Sequence, residues 1–134
     1  MGIRLALITG LLLFAGTSVV AAQDTPAPHE SYKYDSANQT KVTGVVEAVN
    51  DYKCPVSGTV GTHITVKTST GTMEVHLAPA AFVNKYELFI HKGDQVEIQG
   101  AKITFEGKPS LIAKTVVVDR VTFSFRDNNG KPLW

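Results

Sequence analysis

From Thr40 onward the chain alternates apolar and polar residues with a period of two, and one stretch breaks the alternation. That period sends successive side chains to opposite faces of a strand, so the pattern restricts the chain to a mostly β architecture. Val42, Val46 and Ala48 alternate with Thr43, Val45 and Glu47 in a first strand over Lys41–Asn50. Gly44 lies inside it, where a glycine marks a bulge or a tight bend of a curved sheet. Asp51–Gly61 reads as a loop carrying Pro55, Gly58 and Gly61. Thr62–Thr68 sets Ile64 and Val66 against His63, Thr65 and Lys67, and Ser69-Thr70-Gly71 turns the chain. Thr72–Leu77 then returns with Met73, Val75 and Leu77 on one face and Thr72, Glu74 and His76 on the other.

The break falls at Ala78-Pro79. Proline suits the first turn of a helix, and Ala80–Tyr86 allows about two turns, with Ala81, Phe82 and Leu88 as inward groups. Lys92-Gly93-Asp94 turns into a strand over Gln95–Phe105, and Gly107-Lys108-Pro109 leads to another over Leu111–Val118. Val121, Phe123 and Phe125 form a last alternating piece before the tail Arg126–Trp134. The fold class is therefore all-β with one short helix. Three strands, a helix and two strands is the order of the five-stranded Greek-key barrel called the OB-fold, here with a C-terminal extension. An open sandwich is the competing architecture.

The segments Thr62–Thr68, Glu74–Pro79, Lys92–Gly100, Gly107-Lys108-Pro109, Leu111-Ile112-Ala113 and Arg126-Asp127 with Gly130–Trp134 resemble those of small exported bacterial OB-fold proteins. The resemblance spans most of Lys41–Trp134. It implies the barrel fold and a general OB-fold or nucleic-acid-binding label, and it assigns no activity.

Ahead of the barrel, Met1–Ala22 carries one charged residue, Arg4, then the apolar run Leu5–Phe14 and small residues at Val20-Ala21-Ala22. A positive start, an apolar core and a small-residue end describe a secretory signal peptide, with an uncleaved anchor as the alternative. Gln23–Gln39 reads as a flexible leader whose Tyr32 and Tyr34 share one side and are able to dock on the domain; 40–134 is the barrel. The expected setting is the periplasm or the exterior, with no membrane span after cleavage.

Beyond Ala22 remain 112 residues, in which 12 Lys and Arg face 12 Asp and Glu. Neutrality disfavours nucleic acid as the partner, because that affinity rests on phosphate neutralisation. A protein or an envelope component is the expected partner. Cys54 stands alone, so no internal disulfide forms, and beside Lys53 it is a candidate reactive thiol.

Chemistry concentrates on the second and third strands. If they pair, His63, Lys67, Glu74 and His76 share one face, with opposite side chains about 5 Å apart. These four are the candidate ligand-binding residues. Two imidazoles and a carboxylate also suit Zn²⁺ or Cu²⁺, with His63 and His76 as the candidate ligands, although no HxH or CxxC spacing occurs. A solvated polar hairpin face explains the same residues. Ser57, Ser69 and Ser110 lack a nucleophile elbow, and a Cys54–histidine pair would need a fold that joins them. No glycine opens a helix as a phosphate site requires, so neither catalysis nor a cofactor is expected. Phe82, Phe89, Phe105, Phe123, Phe125 and Trp134 fall mostly at core or terminal positions, and the tail is expected to fold back with Trp134 capping the barrel, braced by Arg126 and Asp127, with an exposed anchor for a partner as the alternative.

Overall fold

A computed structural model describes residues 32–134. The signal-peptide reading of Met1–Ala22 and the first part of the leader, 23–31, lie outside the described residues. The strands are β1 (Gln39–Lys53), β2 (Val60–Thr68), β3 (Gly71–Pro79), β4 (Gln95–Phe105), β5 (Lys108–Val118) and β6 (Val121–Ser124), with one helix, α1 (Ala80–Lys85), between β3 and β4. They pair in the order β3-β2-β1-β4-β5-β6, and a further β3–β5 pairing closes the first five into a barrel. The closing seam is parallel and short: Glu74 faces Ser110, Val75 faces Leu111 and His76 faces Ile112. This is the OB-fold with one added strand.

β1 is long because it serves two neighbours. Gln39–Val45 pairs with β4, and Val45–Lys53 pairs with β2. Gly44 stands at the crossing, where an added Cβ would strike the Lys67 carbonyl and Val66 on β2. The bulge itself falls later, between Val46 and Ala48, so glycine at 44 permits close approach of backbones and does not make the bulge. Inside the barrel lie Val46, Ile64, Val66, Val75, Ile98, Leu111 and Val116, all 0–1% exposed. The interior therefore follows the period-two pattern.

Three expectations need correction. The Asp51–Gly61 loop shrinks to residues 54–59, because the β1–β2 ladder extends through Tyr52↔Gly61 and Lys53↔Val60. Glycine at 61 had argued for a turn, yet it is paired backbone. On α1, Ala81 is exposed and Val83 points inward. Lastly, the end of the leader is structured: Ser36–Asn38 forms a 3-10 turn capped by Asp35, and Gln39 already belongs to β1.

The docking expected of the two tyrosines occurs. Tyr32 packs edge-on against Phe105, and the Tyr34 ring lies against the Arg126 guanidinium, 5.4 Å from its centroid, while its hydroxyl donates to Gln39 Oε1 at 3.0 Å.

The C-terminal tail folds back. Leu133 N–H donates to the Phe125 carbonyl, Arg126 Nη1 donates to the Gly130 carbonyl, and Asp127 Oδ1 accepts from the Asn129 and Lys131 amides. Trp134 packs on Phe82 and on the Arg126 guanidinium, and remains 39% exposed. Among the described residues no helix is long and apolar enough to cross a membrane.

Candidate metal centre

His63 and His76 are direct cross-strand partners on the outer face of β2 and β3. Parity puts them there, since their neighbours Ile64 and Val75 pair on the next rung and point into the barrel. The alternative reading of this polar hairpin face was that it is solvated. At this rung it is not, because both histidines are 2% exposed.

The cover comes from several elements. Tyr52 at the end of β1 stacks flat on His63, with ring centroids 3.7 Å apart and planes at 10°. Phe105 at the end of β4 meets His76 edge-on at 4.7 Å, and the two imidazoles meet edge-on at 4.7 Å. Cys54, the first residue of the 54–59 loop, is also 2% exposed and sets Sγ 3.4 Å from His76 Nδ1. Gly61 makes room for it, because a Cβ at 61 would lie 2.9 Å from Cys54 Cβ.

Cys54, His63 and His76 thus bring one donor atom each into a cluster whose members lie within 4.8 Å of one another. Metal bonds of ~2.0–2.3 Å place ligand atoms about 3.3–3.8 Å apart. The Cys54–His76 contact already has that spacing, and the widest pair has to close by roughly 1 Å.

The electrostatics favour ligation as well. His76 is held down at about 4, first by burial and then by the neighbouring His63 imidazole. Burial also lowers His63, against the pull of the Asn50 and Gly61 carbonyls and the Asp51 carboxylate. Both rings are therefore neutral at pH 7 and free to donate lone pairs. The Asn50 and Gly61 carbonyls lie near His63, yet neither nitrogen of His63 nor Nε2 of His76 meets full hydrogen-bond distance and angle with any group among the described residues. Buried polar atoms are normally satisfied, because leaving one bare costs about 1–3 kcal/mol.

The other expected residues separate from this cluster. Lys67 is exposed, pairs with Thr72, and lies four residues along β2 from His63. At ~3.3 Å per residue that is about 13 Å. Glu74 faces Thr65 and Ser110 one side-chain repeat from His76, and its Oε1 is buried without a partner. Burial and the nearby Glu106 raise its carboxyl above the usual range, against Lys108. Glu74 is outside the cluster of three.

Cys54, the candidate reactive thiol, is a buried thiol set beside His76. A cavity of about 10 Å³, lined by Cys54, His76, Arg126 and Trp134 among others, lies against it. That space suits a single small species and not an acyl substrate, so the Cys54–His76 pair has no room to act as a nucleophile on one.

No curated protein sequence matches the chain. Among solved structures it is similar to the mitochondrial single-stranded DNA binding protein Rim1 of S. cerevisiae, at 10% identity over 61% of this chain and 93% of that one, with a TM-score of 0.49. A second form of Rim1 aligns at 15% identity over 65% and 97%, TM-score 0.40. The tRNAIle2 agmatidine synthetase TiaS aligns at 11% identity over 75% of this chain and 24% of that one, TM-score 0.44. The family model that matches, over residues 38–123, is that of the MamS/MamX magnetosome proteins.

Proposed function

The chain belongs to the MamS/MamX magnetosome protein family, and we propose that it is a non-catalytic OB-fold binding module that holds one transition-metal ion through Cys54, His63 and His76. The observation that carries this reading is the set of bare ring nitrogens buried against a thiol. A structural core at this position would use apolar side chains or satisfied polar ones. Thiolate with two imidazoles is a donor set that selects soft and borderline transition metals over magnesium or calcium. Membership supplies the setting, among magnetosome proteins, and the run Met1–Ala22 supports export to the compartment where the ion is met.

The test is thermal unfolding of the purified protein with Zn²⁺, Co²⁺ or copper held monovalent, at 100-fold excess over the dissociation constant. A ligand that binds only the native state then adds about 2.7 kcal/mol. The added stability disappears in a His63→Ala/His76→Ala double variant. Absence of a shift with every ion in the unaltered protein defeats the reading.

A further inference from the structure

Resting on that reading, we propose that the ion held by Cys54, His63 and His76 is monovalent copper and not a divalent metal. The donor count is the first reason. Three ligating side chains converge and Glu74, the nearest unpartnered carboxylate on that face, stays outside the cluster. Closed zinc sites are four-coordinate, and open ones keep a water in the fourth position. Here the adjoining cavity is about 10 Å³, the least that holds one water, and the Tyr52 and Phe105 rings cover the imidazoles, so a fourth ligand has at most a single cramped position. Monovalent copper is satisfied by two or three soft donors and needs no water.

Charge is the second reason. On binding, the Cys54 S–H bond breaks, an S–Cu bond forms and the proton leaves to solvent, with no electron transferred. One positive charge replaces another, so the site remains neutral. A divalent ion would leave a net positive charge in the protein interior. It would do so beside Arg126, whose buried guanidinium lines the same small cavity and pairs with no carboxylate among the described residues. Its contacts are the Gly130 carbonyl and the faces of Tyr34 and Trp134, none of which carries charge at pH 7. Repulsion from Arg126 in a poorly screened interior, offset only in part by the Asp51 carboxylate near His63, disfavours the divalent ion.

The experiment is a competition on the full chain, in anaerobic buffer with ascorbate to keep copper monovalent. Protein is loaded with one equivalent of Zn²⁺, then given one equivalent of copper(I), and both metals are counted after desalting. Trp134, the sole tryptophan, lines the cavity and reports the exchange by its fluorescence. The expected result is one copper per chain, at least 10-fold preference over zinc, and loss of copper in Cys54→Ser. His63→Gln provides a second variant should Cys54→Ser fold poorly. Zinc retained against equimolar copper overturns this inference and leaves the metal site standing. Retention of neither ion overturns both.

Discussion

Two adjacent rungs of the same hairpin are buried on opposite principles. Ile64 and Val75 pair on the inner face, 0% exposed, within the apolar core cluster. One residue away along each strand, His63 and His76 pair on the outer face at 2% exposed, and carry three ring nitrogens with no partner. The inner rung gains free energy by leaving water, at roughly 25 cal/mol per Å² of apolar surface. The outer rung loses free energy, about 1–3 kcal/mol for each group stripped of water and left bare. A fold that keeps such a rung offsets the loss with the inner one, and the bare atoms acquire their purpose when an ion arrives.

The largest effect should come from breaking the inner rung. Leu111 faces Val75 across the seam and is fully buried, so Leu111→Ala should cost about 2–5 kcal/mol in chemical denaturation. Metal stoichiometry should survive at temperatures where the variant is folded. If the variant loses its metal while still folded, the two rungs are not separate devices.

Acid should attack the outer rung alone. Metal-free His76 titrates near 4 in the fold, below its ordinary 6.5, so the unfolded chain binds more protons between those values. Stability is then full above about pH 6.5 and falls as pH drops toward 4, by up to about 3 kcal/mol. His63, also lowered, adds in the same direction, whereas Glu74, raised, offsets part of the loss. Denaturation midpoints from pH 7 to 4 check this, and the slope should persist in Leu111→Ala and shrink in His76→Phe.

Gly61→Ala sharpens the comparison geometrically. Its new Cβ meets Cys54 Cβ at 2.9 Å, so the loop must shift, at a cost of about 1–3 kcal/mol. Metal affinity should fall at least tenfold, because the ligand that moves is the thiol. Equal affinity in calorimetric titration would show that Cys54 is not a ligand.

The smallest change in stability should accompany the greatest loss of binding. His63→Phe keeps the ring stacked on Tyr52 and removes two bare nitrogens, so the metal-free protein should be unchanged or up to about 1 kcal/mol more stable. Copper and zinc binding should both vanish. A large destabilisation would mean that His63 serves the fold.

The barrel was legible in the sequence because alternation reports burial on one face directly, and Pro79 marked where the strands give way to α1. The site was half legible. Alternation placed His63 and His76 on one face, and a hairpin of the right length made them partners. Alternation could not show that Tyr52, Phe105 and the tail would cover that face, since covering residues come from distant parts of the chain. Lys67 and Glu74 entered the same set because sharing a face says nothing of separation along the strand. That Cys54 lies beside these histidines was missed for a narrower reason. Ending the first strand at Asn50 hid the parity that carries Asn50, Tyr52 and Cys54 toward the side of His63. Proline and glycine at 55, 58 and 61 imitated a long loop, and a flanking hairpin ladder ran through part of it.

The short parallel seam also governs when this rung comes into being. Its strands are joined across the helix and all of β4, so their pairing, like the still longer-range β1–β4 pairing, carries the loop-closure cost that slows non-local contacts. His76 sits on that seam, and Cys54 on the hairpin loop opposite. An ion joining them is a clasp fastened after the barrel has shut. Interactions absent from the folding transition state leave the folding rate alone and slow the reverse step. The loaded protein should therefore be distinguished less by how quickly it forms than by how long it lasts.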